Sequence, residues 1–296
     1  MSAAKELHNR ILKKLEEIPT LPAIVYELSR VINDPMASTK EVERIMANDV
    51  SMTAKVLKLA NSAYYAIPGG VSNLSRAIAY IGFDAVNQLV LSASIINALD
   101  VEEPNEFDLN QFWKHSIGVG IAAETIAKYT GHPTPADLFT CGLVHDMGKV
   151  AIIAGEPQLI ADISNHAVQN KVSFHDAEEA MDAPRHVELG LAMAERWLLP
   201  RQFQAVVRFH HENDPRKRGG ITDDLNRAVD IVFLANLLIH ALKFGNSGHS
   251  TVLGAPKTLM ERMQIDPQKD FKALLIKIKG DLERAADFIK LIGSDL

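Results

Sequence analysis

Leu143-Val144-His145-Asp146-Met147-Gly148-Lys149-Val150 sets an imidazole and a carboxylate side by side in apolar surroundings. On a helix, adjacent residues project about 100° apart, so His145 and Asp146 can reach one centre from neighbouring faces. Imidazole nitrogen with carboxylate oxygen suits a borderline transition metal, with iron, manganese, zinc and nickel as candidates. Gly142 and Gly148 flank the pair, and their missing side chains would leave room for an ion and its other ligands. The plainer alternative is a buried, hydrogen-bonded His–Asp pair with no metal.

Outward from this string, the other candidates are scattered. His115 shares a helix face with Gly118, Val119 and Ala122, and so points inward. His186 opens His186-Val187-Glu188-Leu189-Gly190, and His210 and His211 are adjacent near a helix end. Asn236 follows Val232 and Phe233 and precedes Ile239, a polar group on an apolar face. A buried polar group left without a partner costs roughly 1–3 kcal/mol, so something should hold each of these groups. Asp230 is an alternative carboxylate, whose plain reading is a solvated acid near a helix start. Arg216-Lys217-Arg218 reads as a solvated loop, with anion capture as the alternative. His8, His132, His166, His175, His240 and His249 receive no role.

The chain as a whole reads as successive helices with short breaks, and strand-like alternation is scarce. Ser38-Thr39-Lys40-Glu41 is a capping box, and Asp49 can cap the helix that follows. Ile67-Pro68-Gly69-Gly70 is a break, Asn73 starts a short helix that Gly82 ends, and Asp84 caps another. The polar, acidic stretch from Asp100 to Asp108 reads as a linker. Beyond it the pattern predicts helices from about Asn110 to Tyr129, after Thr134-Pro135, from Ser173, from Pro200 to Phe209 and from about Asp224 to Phe244. Two amphipathic helices follow Pro256. The expected fold is all-α, with two helical lobes joined near Asp100–Asp108.

Composition narrows the function classes. The chain has 296 residues, 47% of them hydrophobic, enough for a sizeable core. A formal net charge of -6 argues against a uniformly basic nucleic-acid-binding surface. Cys141 is the single cysteine and cannot form an internal disulfide, which points to a reducing compartment. No apolar run approaches the ~18–20 residues of a membrane-spanning helix, and the first residues lack the apolar core of a signal peptide. The expectation is a cytoplasmic protein with no membrane partner.

The order His115, His145-Asp146, His210-His211, Asn236 resembles the HD superfamily of metal-dependent phosphohydrolases. The resemblance implies a His, a His-Asp doublet and a final acid as metal ligands. The doublet region is also similar to the HD-GYP branch, which implies that His186, His210 and His211 extend the site to two or more metals. It further implies that Lys149 contacts phosphate. The first lobe resembles the HDOD branch, on Leu21-Pro22, Leu57-Lys58-Leu59-Ala60-Asn61-Ser62 and Arg76-Ala77-Ile78-Ala79-Tyr80-Ile81-Gly82. That likeness implies an HDOD domain over 19–211, divided into an N-terminal helical bundle (19–105) and an HD-like lobe (106–211), with helices in 212–296 completing the second lobe. Two departures stand out. Asn236 occupies the position of the final acid, and Asn213-Asp214-Pro215-Arg216-Lys217-Arg218-Gly219-Gly220 replaces the Gly-Tyr-Pro loop. The first expectation is therefore a regulatory, signal-transducing protein with a divalent, dinuclear centre, iron before manganese, zinc or nickel. Its ligands would be His115, His145, Asp146, His186, His210, His211 and Asn236. Its partner would be a signalling protein or a small phosphorylated ligand. The second expectation is a metal-dependent phosphohydrolase acting on a nucleotide or other phosphoester.

Overall fold

A computed structural model describes residues 3–32 and 38–293, and every regular element among them is a helix. In chain order these are α1 (Ala3–Leu15), α2 (Ala23–Ile32), α3 (Thr39–Met46), α4 (Val50–Ala60), α5 (Leu74–Ala98), α6 (Leu109–Tyr129), α7 (Pro135–Val144) and α8 (Met147–Gly155). There follow α9 (Pro157–Asn170), α10 (Phe174–Ala180), α11 (His186–Arg196), α12 (Arg201–Phe209), a 3₁₀ turn at Pro215–Lys217, α13 (Asp223–Ala241), α14 (Lys257–Arg262), α15 (Phe271–Arg284) and α16 (Ala286–Gly293). Several capping signals work as expected, although Asp84 lies inside α5 and Thr134 stands at the start of α7 without a side-chain capping bond. Ser38 and Glu41 form both reciprocal bonds of the capping box, and Asp49, Asn73 and Ser173 each accept from a backbone N–H of their helix's first turn. Gly82 adopts φ 85°, a conformation that breaks the helical run inside α5.

The chain divides into two compact units, and the passage between them falls at Asp100 and Val101, where the acidic stretch begins. The larger unit comprises residues 1–19 and 101–278; the smaller comprises 20–100 and everything from Lys279 onward. This corrects the expected boundaries at the C-terminal end, where 279–296 was assigned to the HD-like lobe. The reasons are contacts between distant parts of the chain. The Arg196 guanidinium donates to the carbonyls of Leu15, Ile18 and Glu16, and the Trp197 indole donates to Pro19 O at 3.1 Å, which holds the first residues in the larger unit. In the smaller unit, the fully buried Phe288 of α16 lies 5.6 Å from Tyr64 and 6.3 Å from Tyr65, ring to ring.

The core of the larger unit is built on α6 and α13, whose faces from His115 to Ala127 and from Ala228 to Ile239 are buried. α7 lies against α6, and α8 packs against α11, α9 and α1. Two glycines set these approaches. A Cβ on Gly142 would stand 2.7 Å from the Gly120 backbone, and one on Gly148 would stand 1.8 Å from His186 O. Both therefore serve helix-to-helix contact, not space for an ion as the sequence suggested. Leu74–Ala98 and Pro135–Gly155 are long and apolar enough to cross a membrane by length and composition, contrary to the sequence reading. Their apolar windows are 56% and 89% buried inside the protein, which is how core helices read.

Candidate metal centre

His145 and Asp146 do not continue a helix. α7 ends at Val144 and α8 starts at Met147, so the doublet forms the turn between them, with His145 at φ -51° and Asp146 at φ -99°. Asp146 stands at the N-cap position of α8 yet makes no capping bond with its side chain. The carboxylate is instead turned into the protein, where it is 1% exposed.

Two sets of donors meet at that carboxylate. His115, His145 and Asp146 form one; Asp146, His186, His210 and His211 form the other. Within each set the ligand atoms lie within 4.8 Å of one another. Asp146 Oδ2 is 3.3 Å from His145 Nε2, while Oδ1 is 3.3 Å from His186 Nε2 and 3.4 Å from His210 Nε2. His186 Nε2 is also 3.1 Å from His211 Nε2 and 3.4 Å from His210 Nε2.

The other ring nitrogens explain why these atoms face inward. His145 Nδ1 donates to Gly142 O at 2.6 Å, and His186 Nδ1 donates to Glu178 Oε2 at 2.8 Å. His210 Nδ1 lies 3.1 Å from Val207 O and 3.2 Å from Val206 O. This assignment of tautomers follows from the acceptors, since a carbonyl or carboxylate can only receive. In the neutral tautomer this leaves Nε2 of all three rings turned with its lone pair toward Asp146. Ordinary hydrogen bonding does not satisfy such an assembly, and His145 Nε2, Asp146 Oδ1 and His115 Nδ1 are buried without a hydrogen-bond partner. Donors sharing one ion at ~2.1 Å stand about 3.0–3.4 Å apart, which the observed spacings match. The donor set fits a divalent transition metal.

Electrostatics agree. Burial pushes His115 and His211 well below the usual imidazole range, and His210 down to about 3. These rings hold lone pairs where an ordinary histidine would begin to take a proton. Burial opposes charge on Asp146, but the neighbouring Lys149 ammonium outweighs it and holds the carboxyl well below its ordinary value.

Lys149 has a different employment from the phosphate contact that the resemblance implies. Its side chain is buried, and Nζ donates to Asp146 Oδ2 at 2.7 Å and Ser247 O at 2.8 Å, over the Phe174 ring. Asn236 is 6% exposed, and its Oδ1 lies 3.0 Å from His115 Nε2. Two other sequence readings are overturned. Asp230 is buried between Arg218 (2.7 Å) and Arg262 (2.8 Å), and Arg218 is itself fully buried. Asp230 is thus neither solvated nor a candidate ligand, and Arg218 is not part of a solvated loop.

Four neighbours of the centre escaped sequence analysis. Glu178 accepts from both the backbone N–H and the Nδ1 of His186, orienting that ring. The His175 ring stacks on His211 at 4.7 Å and 12°. His240 lies 4.4 Å from the His115 ring and 4.1 Å from the His249 ring. One signal was available: His240 follows Asn236 by one helical turn on the same face of α13. No local pattern marks Glu178, His175 or His249.

The HDOD domain family model matches residues 18–213. A protein of Treponema pallidum (strain Nichols), called only an uncharacterized protein, is 25% identical over 274 residues, covering 92% of this chain and 51% of that protein. The uncharacterized protein YuxH of Bacillus subtilis (strain 168) is 22% identical over 118 residues, covering 40% of this chain and 28% of that one. The chain thus spans about half or less of the length of these curated relatives. Among solved structures, an HDOD domain protein with unknown function from Geobacter sulfurreducens is similar at TM-score 0.77 and 24% identity, over 95% of this chain and 97% of that one. Two Shewanella amazonensis SB2B proteins, named "Putative phosphohydrolase" and "Putative metal-dependent phosphohydrolase", follow at TM-scores 0.69 and 0.60. Their identities are 23% and 21%, over 96% and 95% of this chain and 97% and 100% of theirs. At these identities the likeness establishes the fold.

Proposed function

This chain belongs to the HDOD domain family, and we propose that its larger unit holds a dinuclear transition-metal centre, bridged by Asp146, that engages phosphoesters. The observation that carries the reading is the convergence of lone pairs on one buried carboxylate. His145 Nε2 approaches Oδ2, while His186 Nε2 and His210 Nε2 approach Oδ1. Lys149 balances the Asp146 charge from the Oδ2 side, but without a metal His145 Nε2 and Asp146 Oδ1 stay buried with no hydrogen-bond partner. His115 and His145 would hold one ion with Asp146; His186, His210 and His211 would hold the other. Glu178 fixes the His186 ring through its Nδ1–H. When bound, such ions supply Lewis acidity toward a phosphoryl oxygen. Iron is the metal proposed first, since a histidine-rich set with one carboxylate suits it, with manganese, zinc and nickel next.

A specific observation favours a regulatory use of the same centre. Asn236 supplies an amide dipole beside His115 where a carboxylate would supply charge, and that weakens the first ion's hold and changes the acidity it can impose on water. Weak or no turnover of cyclic dinucleotides is therefore expected, and the chain would act in the cytoplasm by relaying phosphoester or metal occupancy to a signalling partner.

Elemental analysis of the chain reconstituted with Fe(II) or Mn(II) tests the metal reading. About two ions per chain are expected, lost in His145→Ala at one position and in Asp146→Ala at both. Stoichiometric metal retained in Asp146→Ala would sink the assignment. Assays of Asn236→Asp against linear and cyclic nucleotides separate the two uses: activity gained by that variant over an inactive parent marks a hydrolase scaffold quieted at this position.

A further inference from the structure

Beside the second ligand set lies a cavity of about 260 Å³ with an unusual wall. His175 and His211 are part of its lining, so it meets the ligand set of Asp146, His186, His210 and His211 at His211. The remaining charged wall is Arg185, Arg208, Lys217 and Glu212: three fixed cations against one carboxylate. Glu212 is occupied in part, since its Oε1 accepts the Asp214 N–H at 2.8 Å. The arginines are held only loosely from outside. Arg185 lies 3.4 Å from Glu179 and Arg208 lies 3.3 Å from Glu188, and both glutamates are well exposed. Exposed pairs of this kind contribute little and exchange readily for a better anion.

From this geometry we infer that the Arg185–Arg208–Lys217 cavity is an anion subsite that takes the terminal phosphate of a small phosphomonoester and delivers it to the His211 side of the metal centre. The inference rests on the metal-centre reading for its direction, but the cationic wall stands by itself. Charge selects the class. A phosphomonoester carries about -1.5 to -2 near neutral pH, which answers three cations better than the single charge of a phosphodiester. Two arginines can each offer a planar fork to phosphate oxygens, which gives the subsite directional specificity. Size agrees, because sites for drug-sized ligands run to ~300–1,000 Å³, and this cavity falls below that range. A phosphate with a sugar attached suits it; a cyclic dinucleotide does not. Arg185, Arg208 and Lys217 are binding residues in this scheme, and no bond is made or broken by them.

Calorimetric titration of the full chain with inorganic phosphate, 5′-AMP and a cyclic dinucleotide decides the matter, in chelator-treated and Mn(II)-reconstituted protein. The expected result is that Arg185→Gln/Arg208→Gln weakens phosphate and 5′-AMP at least about tenfold in both forms, with metal content per chain unchanged. Lys217→Gln should weaken them a few-fold. Glu188→Gln, which frees Arg208 of its competitor, should tighten phosphate a few-fold, and a variant that gains affinity cannot be dismissed as misfolded. Equal phosphate affinity in the double variant and the parent would overturn the subsite, and so would a cyclic dinucleotide binding more tightly than 5′-AMP. Absence of metal in the parent would sink the metal reading alone, because the chelator-treated arm still reads the cationic wall.

Discussion

Lys149 and Asp146 show how much can hang on one ion pair. The ammonium is buried, 2.7 Å from Asp146 Oδ2, and its other bond goes to the carbonyl of Ser247. In the absence of metal it is the fixed cation that balances a buried carboxylate. Removing one partner of a buried pair costs about 3–5 kcal/mol, because the other is left uncompensated. Lys149→Met should therefore destabilise the metal-free chain by roughly that amount in urea denaturation. A metal at Asp146 would take over the balancing charge, so the deficit should narrow on adding Mn(II). A deficit that is equal with and without metal would show that the lysine only fills space. The doublet itself was legible in the sequence because two ligand-type residues adjoin in an apolar string. The lysine's partner Asp146 stands only three positions away, yet the sequence reading gave Lys149 a phosphate contact instead. Its second partner, Ser247, lies 98 positions on, and no local pattern reports such a distance.

At the scale of elements, the centre depends on how closely α8 can approach α11. Gly148 faces the carbonyl of His186 itself, and Gly190 of α11 lies against Gly148 in turn. Gly148→Ala should push the start of α11 away, cost at least about 1–3 kcal/mol by overpacking, and displace His186 from Asp146. The check is denaturation together with metal stoichiometry, and loss of stability with unchanged metal stoichiometry would contradict it. Asp230 provides the contrast. It joins Arg218, next to the 3₁₀ turn, to α13 and to Arg262 of α14. Asp230→Ala strands a fully buried guanidinium and should cost about 3–5 kcal/mol, yet leave the metal count intact. These elements mark where sequence reading gave out. Caps and breaks are written in short windows, so helix starts such as Ser38, Asp49 and Ser173 were readable. Asp230 and Arg218 each looked solvated because each was judged without the other, and only the fold brings them together.

The two units were likewise half visible. The acidic stretch at Asp100 announced a boundary, but the assignment of the C-terminal residues depends on Phe288 meeting Tyr64 and Tyr65, a contact between distant parts of the chain. Across the whole molecule, the buried histidines make stability depend on acidity in a direction that can be worked out. His115, His210 and His211 have folded-state values lowered by burial, His210 to about 3. In the unfolded chain the same rings titrate near ~6.5. Between these values the unfolded chain binds protons that the folded chain refuses, so acidification favours unfolding. Stability should be full above about pH 7.5 and fall as pH drops through 6.5 toward 3, by up to about 1.4 kcal/mol per pH unit for each ring. Asp146 and Glu178, whose carboxyls are also lowered, add to the loss only below the ordinary carboxylate range. The window from pH 7 to 5 thus belongs to the histidines. Melting curves of chelator-treated protein should show a melting temperature that falls steadily across that window. His210→Gln should lower the starting value at pH 7.5 and reduce the slope, because one refusing ring is gone. A parent whose melting temperature is flat from pH 7.5 to 5 would mean that these rings accept protons while folded, and would remove the basis for treating their nitrogens as lone pairs held ready for a metal.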